Sequence, residues 1–441
     1  MTIDSNQRAL LRANAVTVLR ENDLGLMTRA APDLYPHMWS WDAAFISIGL
    51  ARISISRSIQ ELRTLIGAQW SNGMIPHIVF SGAPGYFPDL ERWATQEAAP
   101  PGVRSSGICQ PPVHAIALRH LLDRGRELGG SDQRAAETFV AKTFDKWFNW
   151  HRWLSEARDP DHCGLIRIYH GWESGMDNSP RFDGPYSRVS PGDVVPFRRT
   201  DTQRVGDQAQ RPSDEEYLRY IWLIQQMSEL GYDDRRLAEA TDFRVKDVFF
   251  SAILAAASEV LSEIGDEFGR TAEADWLRVL ANRCSQAVDA SIDNHTHLAV
   301  DVDDLTGEKL NTPTLAGFAP LLSSKNPVVR KELIVQWNGS RWLGDPNLAF
   351  PLPASTSPVS SEFLPRTYWR GPIWPVMNWL FGWSFRRNGE ADEYESLRQN
   401  SLMQLTNSEF AEYYEPFTNE ALGSKNQSWT AAVALDWLDA S

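Results

Sequence analysis

Amphipathic helical periodicity runs through most of this chain and constrains its fold more than any other feature. Between residues 245 and 264, apolar side chains recur at the spacing that gives a helix one buried face. Residues 213–216 fit a capping box, which predicts a helix start there. Because strand-like alternation is rare and short, the predicted fold class is all-α. Similar helical patterns cover about residues 6–23, 41–52, 54–69, 112–125, 134–155, 268–292, 327–338, 374–388, 391–405 and 429–439.

The predicted helices follow one another without an obvious linker or a fixed-period repeat. At ~150 residues per domain, the length alone predicts about three domains. The unbroken succession instead favours a toroid of paired helices, so we predict a single domain over residues 1–441. Loops longer than ~15 residues are usually functional in compact domains. The long stretches with weak helical signal are about residues 70–111, 156–212, 340–372 and 406–428.

Charge and cysteine usage narrow the possible partners and the compartment. The net charge is −14 and no Lys/Arg run occurs, which disfavours nucleic acid as a partner. No apolar stretch reaches the ~20 residues of a membrane span, and the first residues do not resemble a signal peptide. The three cysteines have no CxxC spacing and are predicted to be reduced. We therefore expect a soluble cytoplasmic protein, and no motif indicates a cofactor or a metal; a homo-oligomer is compatible with the sequence.

Aromatic residues make up 11% of the chain, and 18 of them are Trp. The segment YPHMWSWD, residues 35–42, places Trp39 and Trp41 beside Asp42 at a predicted helix start. An indole face can stack on the apolar face of a pyranose while a carboxylate accepts hydrogen bonds from its hydroxyls. The segment is therefore typical of a sugar site. The alternative interpretation is that Asp42 is a helix N-cap among core Trp residues.

The segment GWESGMDNSPR, residues 171–181, carries two acids beside Trp172, namely Glu173 and Asp177. Burial against an indole raises the pKa of a carboxyl group, as a general acid at neutral pH requires. The alternative for Asp177 is an Asx turn. The segment EFAEYYEPF, residues 409–417, holds Glu412 and Glu415 among aromatic residues. Its alternative is an edge segment with solvated glutamates.

Several shorter motifs could complete a sugar-binding pocket. They are GMIPHIVF with His77, CQPPVH with Gln110, TYWRGPIWP with Trp369 and Trp374, and NQSWTA with Gln427. Paired acids on aromatic-rich loops, without a cofactor motif, indicate hydrolysis of a glycosidic bond. That reaction needs one protonated carboxyl and a second, ionised one.

Taken in order, these motifs resemble glycoside hydrolase family 63, and within it the bacterial hydrolases of mannosylglycerate and glucosylglycerate. The resemblance runs from about residue 10 to the C-terminus. It implies an (α/α)₆ barrel and an inverting mechanism without a metal. It also implies that Asp177 is the general acid and that Glu412 is the base that activates water.

A glycerate substrate carries a carboxylate, so the resemblance also implies a cation in the pocket. Arg211 is the candidate, since its planar fork can bind a carboxylate through two hydrogen bonds. Its alternative is a surface ion pair with Asp214 or Glu215. The other residues expected around glycerate are Tyr86, Gln110 and Tyr217. Those expected around the sugar are Trp39, Trp41, Asp42, Trp369, Trp374 and Gln427, with Tyr35 at the edge of that subsite. Trp172, beside the acids, is a further candidate for binding substrate.

Three other functions stay open at this point. An inverting α-glycosidase could act on a neutral disaccharide such as trehalose. A sugar epimerase can share the same fold, but it needs paired acid/base histidines, for which His37, His77 and His170 are the candidates. A non-catalytic carbohydrate-binding protein would keep the Trp residues and need neither Asp177 nor Glu412. The leading hypothesis, which the resemblance implies, is an inverting α-glycosidase that acts on glucosylglycerate and/or mannosylglycerate, and it therefore expects an anionic glycoside as substrate. The three other functions also expect a small-molecule sugar ligand.

Overall fold

The computed structural model describes residues 3–407 and 409–439. Most of the chain is helical, as the periodicity predicts, and the long helices begin and end within a few residues of the predicted bounds. The α-helices are α1 Ser5–Glu21, α2 Ser40–Ala51, α3 Ile55–Gly67, α4 Leu90–Trp93, α5 His114–Leu128, α6 Gly130–Ala157, α7 Asp183–Ser187, α8 Asp214–Glu229, α9 Asp234–Ala240, α10 Val248–Glu267, α11 Thr271–Ala290, α12 Pro320–Ser323, α13 Pro327–Trp337, α14 Pro375–Arg387, α15 Ala391–Gln404 and α16 Ser428–Asp439.

The helices form two concentric rings. Each of the inner helices α2, α5, α10, α12, α14 and α16 contacts the next, and α16 closes the ring on α2. The outer helices are α1, α3, α6, α11, α13 and α15; each packs against the inner ring, and α3, α6, α11 and α15 each contact two inner helices. This arrangement is an (α/α)₆ barrel, in agreement with the expectation from the motifs.

The inner helices owe their position to their composition. Helix α2 is apolar nearly all the way round, and every one of its residues is buried. A polar face is needed where a helix meets solvent, as the helices of the outer ring do. A Cβ atom on Gly49 of α2 would lie 2.4 Å from the Cα atom of Ala432 in α16, so glycine permits the close contact of these two helices. The expectation that no stretch reaches the length of a membrane span was wrong for α10, whose 20 residues are long and apolar enough to cross a membrane. Its most apolar 18 residues are 89% buried inside the protein, as in a core helix.

Short antiparallel strands connect the long segments between helices. Strand β1 (Met38–Trp39) pairs with β2 (Ile78–Val79), and β7 (Tyr413–Tyr414) pairs with β8 (Ala421–Leu422). A four-stranded sheet has the order β3-β4-β5-β6. Its strands are β3 Ile166–Ile168, β4 Val245–Asp247, β5 Asp301–Asp303 and β6 Lys309–Leu310.

The prediction was wrong about the residues before α10. Residues 245–247 belong to β4, and the helix begins at Val248. The reason is local capping: the side chain of Asp247 accepts a hydrogen bond from the backbone N–H of Phe250 at 2.8 Å. Apolar periodicity alone cannot distinguish the last residues of a buried strand from the first turn of a buried helix. The sequence patterns also did not predict the short helices α4, α7, α9 and α12.

Candidate active site

One pocket gathers all fourteen residues that the sequence singled out for a site. The empty space within its lining is about 820 Å³, which includes open solvent at the mouth. All four long segments between helices contribute to its lining, together with the first turns of α2 and α8. The fourteen residues are Tyr35, Trp39, Trp41, Asp42, Tyr86, Gln110, Trp172, Asp177, Arg211, Tyr217, Trp369, Trp374, Glu412 and Gln427.

The first wall is built where β1 runs directly into α2. Trp39 ends the strand and occupies the N-cap position, so Asp42 lies in the first helical turn. The interpretation of Asp42 as an N-cap is therefore wrong. Asp42 is 5% exposed, and burial raises the pKa of its carboxyl well above the ordinary value, with further increases from the charges of Glu412 and Asp177. It is one of four carboxylic acids that line the pocket, with Asp177, Asp201 and Glu412.

A cluster of indoles that adjoins Trp41 forms a second part of the lining. The rings of Trp369 and Trp374 are parallel, with centroids 3.6 Å apart. Trp374 and Trp41 each meet Trp429 edge to face, at 6.0 and 5.5 Å. Because each ring is held by another, these indoles present fixed apolar faces of the kind that stack on a sugar.

Asp177 follows a short 3₁₀ turn, Gly171–Ser174, and enters the pocket after Gly175. Gly175 has φ = +73°, and a Cβ atom there would lie 2.6 Å from the ring of Trp41, so only glycine fits this turn. Asp177 is partly buried. Burial raises its pKa to about 7, although the charge of Arg211 and a hydrogen bond from Tyr368 oppose the increase.

The neighbouring acid, Glu173, has a different place. It is fully buried and forms a two-point ion pair with Arg158, at 2.7 and 2.8 Å. Burial raises the pKa of Glu173, but the Arg158 guanidinium and backbone hydrogen bonds lower it below its ordinary value overall. Glu173 therefore anchors the segment, and Asp177 is the acid of this pair that lines the pocket.

Glu412 stands immediately before β7 and is 2% exposed. Its Oε1 atom accepts a hydrogen bond from the Tyr35 hydroxyl at 2.9 Å, and its Oε2 atom accepts one from the backbone N–H of Ser424 at 3.1 Å. Burial raises the pKa of Glu412, and Arg211 and these hydrogen bonds oppose the increase. Glu415 instead accepts hydrogen bonds from Thr418. The interpretation of Glu412 as a solvated surface glutamate is therefore wrong.

Two tyrosine hydroxyls contact the carboxyl groups of Asp177 and Glu412. The Tyr35 hydroxyl, which donates to Glu412, lies 3.2 Å from the Tyr368 hydroxyl. Tyr368 in turn hydrogen-bonds to Asp177 and thereby lowers its pKa. Tyr35 donates its hydroxyl hydrogen to Glu412 and Tyr368 donates its hydroxyl hydrogen to Asp177, so each carboxyl group has its own tyrosine donor and the two hydroxyl oxygens lie side by side.

Arg211 is buried beside these two hydroxyls. It donates from Nη1 to the Tyr35 hydroxyl at 2.9 Å and from Nε to Oδ2 of Asp201 at 3.3 Å. Its guanidinium also lies 4.1 Å from the centre of the Tyr368 ring. The interpretation of Arg211 as a surface ion pair is wrong, because Asp214 pairs with Arg199 and Glu215 pairs with Arg219.

Arg211 belongs to a cluster of two arginines and two aspartates, in which Arg199 also pairs with Asp214. Arg199 shares Asp201 with Arg211, at 2.8 Å, so two guanidinium groups face one buried carboxylate. Arg199 also stacks 4.3 Å from the centre of the Tyr217 ring, which holds that tyrosine against the pocket. Arg211 is the cation that this end of the pocket offers to a negatively charged group.

Two glutamine side chains are oriented by hydrogen bonds. Oε1 of Gln110 accepts from the backbone N–H of Trp41 at 3.3 Å, and Oε1 of Gln427 accepts from the Ser424 hydroxyl at 2.6 Å. With their oxygens engaged in this way, the amide N–H groups are the donors that these side chains can offer to a ligand hydroxyl.

The lining also includes residues outside the predicted set. Tyr368 and Trp429 lie inside motifs already singled out and were overlooked beside more prominent neighbours, whereas nothing in the local sequence marks Thr200 or Asp201. The additional lining residues are Leu34, His77, Phe87, Gly175, Thr200, Asp201, Pro212, Tyr220, Tyr368 and Trp429.

The histidines do not form an acid/base pair in this pocket. Of the three candidates, His77 lines the pocket, and burial holds its pKa well below the ordinary value, so its ring is neutral. His170 is engaged elsewhere, with the backbone N–H of Trp172 at 3.0 Å and the carbonyl of Tyr220 at 3.1 Å. Over residues 3–407 and 409–439, no group of three or more His, Cys, Asp or Glu side chains is placed to hold a metal ion.

Comparisons with known proteins give a consistent result. The profile of the mannosylglycerate hydrolase MGH1-like glycoside hydrolase domain matches residues 35–430. A glucosylglycerate hydrolase from Mycolicibacterium hassiacum is 51% identical over 434 residues, which cover 97% of each chain. A family 63 mannosylglycerate hydrolase from Thermus thermophilus, solved with Tris and D-glycerate, has 36% identity and a TM-score of 0.88, with 97% of this chain and 99% of that chain covered. The same protein solved with glucose matches with a TM-score of 0.85 over the same shares.

Proposed function

The chain belongs to the MGH1-like glycoside hydrolases of family 63, and on this premise we propose that it hydrolyses the α-glycosidic bond of glucosylglycerate and of mannosylglycerate. The products are the hexose and glycerate. The substrate names come from the relatives, and glucose and D-glycerate are ligands of the Thermus structures. The observation that carries the proposal is that Asp177, Glu412 and the buried Arg211 line one aromatic pocket.

The two carboxyl groups are assigned by their surroundings. Asp177, with a pKa of about 7, is protonated in a large fraction of molecules at neutral pH and gives its proton to the glycosidic oxygen. Glu412 receives hydrogen bonds from Tyr35 and Ser424, which favour its ionised form. It takes a proton from the attacking water. Direct attack by water inverts the anomeric centre, and no covalent intermediate forms.

The sugar and the glycerate are assigned to opposite ends of the pocket. Trp39, Trp41 and the stacked pair Trp369–Trp374 supply apolar faces for the pyranose, and Asp42 and Gln427 bind its hydroxyls. Tyr86, Gln110 and Tyr217 surround the glycerate, whose carboxylate pairs with Arg211. Arg211 supplies a buried cation to the pocket, and it shares Asp201 with Arg199, which also pairs with Asp214. This explains how a protein of net charge −14 can bind an anion.

The pH dependence of kcat/KM tests the assignment of the acid. Because Asp177 must be protonated, activity should fall as the pH rises through about 7. Glu412 must be ionised, so activity should also fall at acidic pH. Because the pKa of Glu412 is raised, this fall should begin at a higher pH than the ordinary pKa of a glutamate would give. The measurement is kcat/KM on glucosylglycerate from pH 4 to pH 10. Undiminished activity at pH 9 would contradict the assignment.

The products identify both the substrate and the stereochemistry. Glucosylglycerate, mannosylglycerate and trehalose are each incubated with the purified protein, and released glycerate and hexose are quantified. Proton NMR of the fresh product should show the β-anomer from the α-linked substrate. Initial release of the α-anomer would refute inversion. Cleavage of trehalose in preference to both glycerate glycosides would instead support the neutral-disaccharide alternative.

A further inference from the structure

The peptide group between Tyr368 and Trp369 is held at both of its polar ends. Its N–H, from Trp369, donates to Oδ1 of Asn178 at 2.9 Å. Its carbonyl oxygen, from Tyr368, accepts from the indole N–H of Trp374 at 3.3 Å. A peptide plane fixed at both ends cannot rotate, so the backbone angles on either side of it are fixed as well.

This peptide follows a residue in an unusual conformation. Tyr368 has φ = +33°, in the left-handed region that side chains other than glycine rarely adopt. Such a conformation persists only where surrounding contacts enforce it, and it occurs often at functional sites. The hydrogen bond that Asn178 accepts from the Trp369 N–H orients the peptide that follows Tyr368 and thereby sets ψ of this residue.

Asn178 has no other evident reason to be polar. It is 2% exposed and follows Asp177 directly in the chain. Its Nδ2 group has no hydrogen-bond partner among the described residues. The hydrogen bond that Oδ1 accepts from the Trp369 N–H is therefore the one side-chain hydrogen bond that offsets the cost of burying this amide. Burying an unpaired amide N–H costs stability, which argues that the acceptor atom has a role.

The orientation of the Tyr368–Trp369 peptide affects where the side-chain hydroxyl of Tyr368 lies. Its hydroxyl is 3.2 Å from that of Tyr35, which donates to Glu412, and it hydrogen-bonds to Asp177. The position of this hydroxyl depends on the backbone angles of Tyr368. A change in those angles would move the Tyr368 hydroxyl, so that Asp177 would lose a hydrogen bond and the Tyr35 hydroxyl would lose its contact with Tyr368.

We propose that Asn178 is a positioning residue, which fixes the Tyr368–Trp369 peptide and thereby holds the Tyr368 hydroxyl between the carboxyl groups of Asp177 and Glu412. The inference rests on the proposed function, in which these two groups are the acid and the base. It ties the segment that carries the acid to the segment that carries the stacked Trp pair. Asn178 itself takes no part in the proton transfers.

The test compares Asn178→Ala, Tyr368→Phe and the double variant. Asn178→Ala should lower kcat on glucosylglycerate by roughly 10- to 100-fold, since small displacements in an active site have effects of that size. Loss of the hydrogen bond to Asp177 raises the pKa of that acid, so the alkaline limb of the pH profile should move up by about one unit. Tyr368→Phe should cause the same shift. The double variant should resemble Tyr368→Phe alone, because Asn178 acts through Tyr368.

Matched variants separate positioning from general damage. Asn178→Asp keeps an acceptor for the Trp369 N–H, so Tyr368→Phe should retain its effect in that background. Ser384→Ala removes a buried hydrogen bond of 2.6 Å to the Leu321 carbonyl outside the pocket, and it should leave both kcat and the pH profile unchanged. A lower kcat for Asn178→Ala with an unmoved alkaline limb, or full additivity with Tyr368→Phe, would overturn the inference.

A crystal structure of Asn178→Ala gives a readout that does not depend on turnover. It should show the Tyr368 hydroxyl displaced from its contact with Tyr35, and an unchanged contact would overturn the inference. If the wild-type protein releases no glycerate, the proposed function fails, whereas this structural comparison still decides the role of Asn178. If Asn178→Ala does not fold, Asn178→Ser takes its place in all measurements. The serine side chain is too short to reach the Trp369 N–H, so this variant also removes the hydrogen bond.

Discussion

Asp177→Ala and Glu412→Ala are each expected to lower kcat on glucosylglycerate by at least ~10²-fold, the low end of the effect of general acid–base catalysis. The structure supplies the reason, since both carboxyl groups line the pocket and both have raised pKa values. The measurement is steady-state release of glycerate, with thermal unfolding to verify that each variant folds. A turnover close to the wild-type value in either variant would refute its assignment.

Leaving-group chemistry can distinguish the two roles. An α-glucosyl fluoride needs little protonation of its leaving group, so Asp177→Ala should hydrolyse it far better than it hydrolyses glucosylglycerate. Glu412→Ala should be impaired on both, because water must still be activated. Added azide can replace that water and should yield the β-glucosyl azide. Glu409→Gln is the control, because this nearby acid is partly exposed and pairs with Lys425 outside the pocket, so its loss should not affect turnover.

Arg211→Ala is expected to lower kcat/KM on glucosylglycerate by roughly 10- to 150-fold more than on glucosylglycerol, in which a neutral hydroxymethyl group replaces the carboxylate. This range corresponds to the ~1.5–3 kcal/mol of a hydrogen bond to a charged group. Arg211 also lowers the pKa of Asp177 and of Glu412, which changes the rates on both substrates. The ratio between the substrates therefore isolates the contact with the carboxylate.

The variant should fold, because Asp201 keeps its ion pair with Arg199 at 2.8 Å. Arg219→Ala is the matched control, since this arginine pairs with Glu215, which is largely exposed. Its effect on either substrate should be negligible, as is usual for surface ion pairs. Equal losses on glucosylglycerate and glucosylglycerol in Arg211→Ala would mean that Arg211 serves the catalytic carboxyls alone and does not bind the glycerate.

Much of the fold could be predicted because helices are encoded locally. A helix needs apolar residues at a fixed short spacing, and this pattern located the long helices of both rings. The errors fall where local patterns are ambiguous. Residues 245–247 continue the apolar pattern of α10, yet they pair with strands β3 and β5, which lie far away in the sequence.

In the candidate site, too, some residues were predictable from local sequence and others depend on contacts between distant segments. Clusters of Trp and acid in short motifs identified where the chemistry lies, and the family resemblance assigned roles to Asp177 and Glu412. The sequence contains no pattern that distinguishes Glu173 from Asp177 by environment, because the partner of Glu173 is Arg158, which stands outside the motif. Asp201 was not predicted for the same reason: its importance comes from two arginines that it joins in space.

The sequence by itself thus determined the helix positions, the all-α class and the set of motifs that form the pocket, since each depends on residues close together in the chain. The tertiary structure decided which acid of each motif lines the pocket, which carboxylate holds Arg211, and how Asn178 reaches the Trp369 peptide. Each of those outcomes depends on burial and on contacts between distant segments. Such contacts exist only once the rings of helices have closed.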